Sequence, residues 1–143
     1  MTTVRTLPAV IAGIAALGAA GATAEPSAPK PAPVVRIAEL EIDPAQLDAY
    51  KAALTEEIEA SVRLEPGVLA LNAVSIDEAP AQIRLLEVYA SQAAYEAHLK
   101  TPHFLKYKTS TAAMVKSLRL VSTTPILLCG KAGFLPTDPA ACL

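Results

Sequence analysis

The feature that most constrains this chain is the order in which two hydrophobic periodicities follow each other between residues 34 and 124. Extended apolar segments alternate with segments whose apolar residues recur every three or four positions. The extended segments predict four strands, at residues 34–42, 68–76, 82–90 and 117–124. The helical segments are predicted at 44–64, from Ser91 to about Lys100, and from Pro102 to about Val115. The resulting order is strand, helix, strand, strand, helix, strand.

The first helix has a well-marked beginning and end. Asp43 is a capping residue, and Pro44 has a φ angle suited to the first turn. Pro66-Gly67 ends the helix. The residues predicted to face the core follow helical spacing: Leu47, Tyr50, Leu54, Ile58 and Val62.

This order of elements predicts an α+β fold of the ferredoxin-like type, in which an antiparallel sheet carries its helices on one face. We expect the domain to cover residues 34–126. Residues 127–143 are rich in Gly and Pro and are predicted to form an irregular tail.

Both faces of the predicted sheet are apolar. Alternation along the strands separates Ile83, Leu85 and Tyr89 from Leu86 and Val88, and Leu69 and Leu71 from Val68 and Val74. The helices cover one face only, and an uncovered apolar sheet exceeds the patch that a monomer tolerates. We therefore expect a two-fold homodimer with sheet facing sheet. The alternative is that the tail folds over the open face.

The N-terminus has the pattern of an export signal. Arg5 is the only charged residue among the first 24, and the run from Leu7 to Ala22 is uncharged. The small residues of Ala22-Thr23-Ala24 then predict cleavage after Ala24, so that residues 1–24 are a signal peptide and the protein is periplasmic or secreted. The alternative is an uncleaved membrane anchor. Residues 25–33 contain four prolines and are expected to be an extended spacer.

The two cysteines, Cys129 and Cys142, both lie in the tail. In an oxidising compartment they are expected to form a disulfide. A redox pair is the alternative, although no Cys-x-x-Cys motif is present. Their spacing is not that of a zinc site.

Aromatic residues are few, and most of them are close together in the sequence. Four of the six Tyr and Phe residues and both histidines lie between residues 89 and 107: Tyr89, Tyr95, His98, His103, Phe104 and Tyr107. They could line a pocket between the sheet and the helices, with imidazole as its polar group. They could equally be ordinary core packing.

Two polar residues lie within apolar strands. Glu87 alternates with Leu85 and Tyr89, and a buried carboxylate needs a partner or a proton. His98 is a plausible partner, because a carboxylate would fix its tautomer as a general base requires. The alternative is that Glu87 lies at the sheet rim and pairs with Lys or Arg. Asn72 could hydrogen-bond a ligand oxygen or be satisfied by the backbone.

Other chemistries find little support in the sequence. The formal net charge is −2 without basic clusters, which argues against nucleic acid and a charged membrane surface. Pro102 separates His98 from His103, so we expect no metal site built on the two histidines. No glycine-rich phosphate loop follows a strand, and no serine has nucleophile-elbow context.

Two stretches carry a resemblance to a known family. They are EPGVL, at residues 65–69, and the longer run EVYASQAAYEAHLKTPHFLKYK, at residues 87–108. Over roughly residues 34–126 the chain resembles the antibiotic biosynthesis monooxygenase family, and within it the quinol monooxygenases.

The resemblance implies a dimeric α/β barrel that oxidises a quinol-like or phenolic aromatic with O₂ and needs no metal or flavin. It implies that His98 is the catalytic base and that Glu87 orients it. A phenolic anion can reduce O₂ directly, and a dry pocket protects the reactive species from water. The residues that spacing predicts to line this pocket are Asn72, Tyr89, His103, Phe104 and Tyr107.

Two other functions are compatible with the sequence. A non-catalytic periplasmic dimer could use the same pocket for a small hydrophobic ligand or in a stress response. Haem-degrading relatives of the resembled family carry a tryptophan near the position of His98, whereas this chain has no Trp. They also carry a haem-ligating histidine where this chain has Lys106 and Lys108, so haem is disfavoured. The expected partners are thus a small aromatic substrate, O₂ and a second copy of the chain.

Overall fold

The elements follow one another in the predicted order. A computed structural model describes residues 31–130. Its helices and strands are β1 (Val34–Ile42), a 3₁₀ turn (Pro44–Gln46), α1 (Leu47–Leu64), β2 (Val68–Ile76), β3 (Ala79–Tyr89), α2 (Gln92–His98), α3 (Pro102–Thr111) and β4 (Val115–Thr123). The sequence predicted β1 and β2 to the residue, whereas α2 and α3 are each shorter than expected.

The four strands form one antiparallel sheet in the order β2-β3-β1-β4. Because β3 pairs antiparallel with both β1 and β2, these two strands run parallel with β3 between them. This split β-α-β arrangement confirms the ferredoxin-like α+β fold. The sheet is open, with β2 and β4 at its edges.

Three capping residues fix where the helices begin. The side chain of Asp43 accepts a hydrogen bond from the backbone N–H of Ala45. Ser91 accepts from Ala94 at 3.1 Å, and Thr101 accepts from Phe104. Each cap satisfies an N–H group that the first helical turn leaves without a partner.

The face assignment predicted for β2 is wrong because this strand contains a β-bulge. The register shifts between Val68 and Ala70, so two residues of β2 oppose one residue of β3. As a result Val68 and Leu71 pack together with Tyr89 on the helix side. Leu69, expected beside Leu71, instead packs with Val88 on the open face.

The main core lies between the sheet and α1. Its buried residues come from β1, α1 and β3: Ala38, Leu40, Ile42, Tyr50, Leu54, Ile83 and Leu85. Along α1 the buried residues are Tyr50, Leu54, Glu57 and Ser61. The predicted apolar stripe therefore ends early, since Val62 is 42% exposed.

The open face of the sheet is covered in part. Leu128 of the tail packs on the small cluster formed by Val35, Leu69, Ala70 and Val88. Val74 and Leu86 on the same face are 59% and 40% exposed. The tail thus covers one end of this face, and the predicted dimer stays a prediction.

Several predictions concern residues outside the described range. The signal peptide, most of the proline-rich spacer and Cys142 lie before residue 31 or after residue 130, so cleavage and the Cys129–Cys142 disulfide stay predictions. Across residues 31–130 the helices are all too short or too polar to cross a bilayer.

Candidate functional site

A cavity of about 420 Å³ lies between the helix side of the sheet and helices α2 and α3. This volume is in the range that holds a small organic ligand. Its walls are mostly aliphatic and aromatic, and its lining includes Leu40, Leu71, Leu85, Tyr89, Tyr95, Phe104, Tyr107, Leu118 and Leu120. The polar side chains in the lining include Glu57, Glu87 and His98.

His98, the last residue of α2, is buried in this wall. Its Nδ1 lies 3.0 Å from Oε1 of Glu65, and its Nε2 lies 3.7 Å from Oε1 of Glu57. The imidazole ring packs between two aromatic rings, with centroid distances of 5.4 Å to Tyr89 and 4.7 Å to Phe104. Both ring nitrogens therefore face carboxylates, and the ring is held in place by aromatic contacts.

Glu87 is not the hydrogen-bonding partner of His98, which corrects the pairing expected from the sequence. Its Oε2 accepts a hydrogen bond of 3.2 Å from the hydroxyl of Tyr89. The ring of Tyr89 packs against the imidazole, and Glu65 is the residue that contacts Nδ1 of His98. Glu87 and His98 nevertheless line the same cavity.

Glu65 is one of two residues of this site that the sequence analysis did not predict. Its Oε1 is shared by the two histidines, at 3.0 Å from Nδ1 of His98 and 2.5 Å from Nε2 of His103. Burial raises the pKa of the Glu65 carboxyl, but the hydrogen bonds from His103 and His98 outweigh burial and lower the pKa below its usual value. Glu65 is therefore held as a carboxylate between two imidazoles.

A close contact between the turn after α1 and helix α2 brings Glu65 to His98. A Cβ atom on Gly67 would lie 2.5 Å from the Cβ of Ala94, so the turn fits against α2 because residue 67 is glycine. The backbone N–H of Ala90 donates to the carbonyl of Gly67 at 2.9 Å. The Glu-Pro-Gly sequence thus ends α1, approaches α2 and presents the carboxylate in one short segment.

Glu57 was also missed, because it interrupts an apolar helix face. It lies one turn after Leu54 and is buried, and its Oε1 accepts a hydrogen bond of 2.7 Å from the hydroxyl of Ser61. Burial is the main reason that the pKa of the Glu57 carboxyl is raised. The signal in the sequence is the spacing of Glu57, Ser61 and Glu65, which continues the Tyr50–Leu54 stripe with polar residues.

The other acidic groups of the cavity hold their protons more tightly than usual. Burial raises the pKa of the Glu87 carboxyl, which favours its neutral form. Burial also raises the pKa of the hydroxyls of Tyr89 and Tyr107. Tyr107 exchanges a hydrogen bond of 2.6 Å with Tyr50. Both tyrosine hydroxyls therefore keep their protons, and the imidazole of His98 is the side chain in the lining best suited to accept one.

The remaining residues predicted to line the pocket divide into three groups. Tyr89, Phe104 and Tyr107 do line the cavity. His103 lies beside it, on Glu65. Asn72 opposes Leu86 across the β2–β3 ladder, so it faces the open side of the sheet. It lines a separate groove of about 970 Å³ that also includes Thr55 and Glu59 of α1. Asn72 is therefore not among the residues that line the His98 cavity, and a role in substrate binding stays a prediction.

The two histidines also meet at one point, against the expectation that Pro102 keeps them apart. One atom each from Glu65, His98 and His103 lies within 4.8 Å of the others. Two imidazoles and one carboxylate are donors that transition metals accept.

Comparison with known proteins gives matches over most of the described domain. The profile described as antibiotic biosynthesis monooxygenase matches residues 33–110. A solved structure from Bacteroides thetaiotaomicron that carries the same description is 51% identical, with a TM-score of 0.65 over 66% of this chain and 90% of its own.

Two further solved structures extend the comparison. A protein from Lactobacillus acidophilus described as a monooxygenase is 30% identical with a TM-score of 0.62, and the match covers 78% of this chain but only 50% of that protein. A protein from Nitrosomonas europaea is 23% identical with a TM-score of 0.63 over 66% of this chain and 90% of its own, and supports the fold alone. A search of curated proteins gives no match.

Proposed function

This chain belongs to the antibiotic biosynthesis monooxygenase family, and we propose that it oxidises a quinol-like or phenolic aromatic ring with O₂. The observation that carries the proposal is the position of His98, a buried imidazole at the wall of an apolar cavity with carboxylates at both nitrogens. A flat aromatic substrate suits the size and the aromatic walls of this cavity.

In the proposed reaction His98 removes a proton from a ring hydroxyl. Glu65 accepts a hydrogen bond from Nδ1–H, which leaves the lone pair of the neutral imidazole on Nε2. This tautomer makes Nε2 the general base, and Glu65 is the positioning residue that fixes it. His103 donates to the same oxygen of Glu65 and keeps that carboxylate in place.

The deprotonated ring is electron-rich and reduces O₂ directly in this scheme. A quinol and O₂ give a hydroxyquinone and water. One oxygen atom enters a ring C–H bond, the other leaves as water, and the quinol supplies all four electrons. The apolar walls keep bulk water away from the reactive species.

The remaining polar side chains orient the substrate. Glu87 lines the cavity, where its carboxyl group can form a hydrogen bond with a second ring hydroxyl. Phe104 and Tyr107 provide the aromatic surface against which the ring packs. The contribution of Glu87 is thus binding, and the proton is taken by His98.

Oxygen consumption with a panel of hydroquinones and hydroxylated polycyclic aromatics, in the presence of a chelator, tests this function. We expect His98→Ala to lower kcat by about 10²- to 10⁴-fold, which is the usual contribution of a general base. Glu65→Gln should lower kcat while leaving KM nearly unchanged, because it disturbs the tautomer and leaves the substrate contacts intact.

Equal turnover by wild type and His98→Ala would remove the enzymatic proposal. Thermal stabilisation by an aromatic ligand without oxygen uptake would instead favour the second candidate, a non-catalytic binding protein. That candidate rests on the same apolar cavity and requires no role for the two carboxylates at His98.

We also propose that the protein acts as a two-fold homodimer in the periplasm or outside the cell. The exposed Val74 and Leu86 on the open face support a sheet-to-sheet dimer, and the Arg5–Ala24 pattern supports export. Light scattering and N-terminal sequencing of the exported protein test the two statements. A monomer, or an intact N-terminus at Met1, would contradict them.

A further inference from the structure

We propose that Glu65, His98 and His103 form a binding site for one divalent transition-metal ion of the zinc class. The three residues come from three different elements, namely the turn after α1, the end of α2 and the first turn of α3. The site shares Glu65 and His98 with the proposed reaction, but that reaction requires no metal.

The geometry of the three donor atoms supports such a site. Oε1 of Glu65 lies 3.0 Å from Nδ1 of His98 and 2.5 Å from Nε2 of His103, and the three atoms lie within 4.8 Å of one another. An ion bound at about 2.1 Å in tetrahedral geometry holds its ligands about 3.4 Å apart. Binding of one ion by both groups therefore requires Oε1 of Glu65 and Nε2 of His103 to move apart by about 0.9 Å.

The type of donor selects the class of ion. Two imidazole nitrogens and one carboxylate oxygen suit Zn²⁺ and its neighbours Co²⁺ and Ni²⁺. Mg²⁺ and Ca²⁺ prefer a shell made of oxygen atoms. Three protein ligands leave a fourth position for water, and the side chains of Glu65 and His103 are 12% and 17% exposed, which gives the ion a path from solvent.

A second carboxylate supports His98 as a ligand. Metal-bound histidines usually donate their other ring N–H to a carboxylate. Glu57 is placed for this role, with its Oε1 3.7 Å from Nε2 of His98 and held by the hydroxyl of Ser61 at 2.7 Å. At 3.7 Å the two atoms do not form a hydrogen bond, so Glu57 has to move closer to accept from Nε2–H when the ion is bound.

Metal binding has a consequence that rests on the proposed function. An ion on Nδ1 of His98 moves the ring proton to Nε2, where the lone pair of the general base would otherwise be. The ion is thus expected to inhibit turnover. Binding itself is measured without any substrate, so the metal site and the proposed reaction can fail independently.

The test is calorimetric titration of the full chain, without a histidine tag, with Zn²⁺ and with Mg²⁺. We expect one Zn²⁺ per chain and no binding of Mg²⁺. His103→Gln and Glu65→Gln should each weaken Zn²⁺ binding by about tenfold or more. Glu56→Gln, a carboxylate on the exposed side of α1, is the matched control and should bind like wild type.

A measurement on unmodified protein guards against variants that fail to fold. Co²⁺ should shift the NMR signals of both imidazole rings in wild type, while circular dichroism establishes the fold of each variant. The proposal is overturned if Zn²⁺ does not bind, or if folded His103→Gln and Glu65→Gln both bind it like wild type. A Co²⁺ spectrum with thiolate ligation would assign the ion to the cysteine tail instead, which also overturns it.

Discussion

The layer between the sheet and α1 has an apolar end and a polar end, and both are buried. At the apolar end Tyr50 and Leu54 of α1 pack against Ile42 and Ile83 of the sheet. At the polar end Glu57 and Ser61 of the same helix face line up with His98. Strand β3 shows the same change from apolar to polar. Its helix-facing residues are apolar at Ile83 and Leu85 and polar at Glu87.

The apolar end stabilises the fold, whereas the polar end contains the candidate functional site. Apolar side chains in a closed layer stabilise the fold through burial. Burying carboxylates opposes folding, which is visible in the raised pKa of Glu57 and Glu87. A fold that keeps three glutamates, one histidine and a cavity at one end of its core accepts that cost, and such departures from a local rule are expected at functional sites.

The largest effect on stability should come from the apolar end. Leu54→Ala removes a side chain that is 4% exposed, and we expect the free energy of unfolding to fall by about 2–5 kcal/mol because a cavity is left behind. Urea denaturation measures this loss. Val62→Ala on the exposed side of α1 is the control and should cost much less. If Leu54→Ala lowers the free energy of unfolding by no more than Val62→Ala does, the apolar end of the layer does not stabilise the fold as proposed.

A smaller effect of opposite sign is expected at the polar end. Burial raises the folded pKa of Glu87 above that of the unfolded chain, so wild-type stability falls as pH rises between those two values. Glu87→Gln removes this slope. Below this pH window Glu87→Gln should be about as stable as wild type. Above it the variant should be more stable than wild type, by less than the loss expected for Leu54→Ala.

Urea denaturation across a pH series, with Glu78→Gln in the exposed hairpin turn as control, measures the effect at Glu87. If Glu87→Gln instead lowers the free energy of unfolding at neutral pH, the Glu87 side chain stabilises the fold and the prediction is wrong.

The smallest effect is expected outside the layer. Lys106 forms an ion pair with Glu56, and both side chains are 65% exposed. Solvent screens such a pair, so Lys106→Ala should change stability by at most about 0.5 kcal/mol, and the difference should shrink in high salt. Thermal unfolding at low and high ionic strength measures it. A loss as large as that of Leu54→Ala would mean that the surface contributes as much as the core.

The fold was predictable because its signals are local. Ser91 and Thr101 cap α2 and α3, and Asp43 caps the 3₁₀ turn that precedes α1. The alternation in β3 predicted its two faces correctly. The bulge at Val68–Ala70 was not predictable. It depends on how β2 pairs with β3, and the pattern of apolar and polar residues along β2 does not indicate it.

The sequence predicted where the site lies but not which carboxylate contacts His98. The cluster of aromatic residues and histidines marked the wall of the cavity, and His98 lies there. The partner of His98 was assigned to Glu87 since that carboxylate stood out in an apolar strand. Glu65 is 33 positions away from His98 and follows a helix end, where a polar residue is ordinary, so only the packing of the turn on α2 shows it.

The break between α2 and α3 sets the directions in which the imidazole rings of His98 and His103 point. In one continuous helix, residues five positions apart project about 140° away from each other. Here α2 ends at His98 and a separate helix, α3, begins at Pro102, and His98 and His103 converge on a single oxygen atom. A one-residue insertion or deletion at positions 99–101 would preserve every side chain of the site and still scatter it, which makes the length of this short link as much a part of the chemistry as the residues it joins.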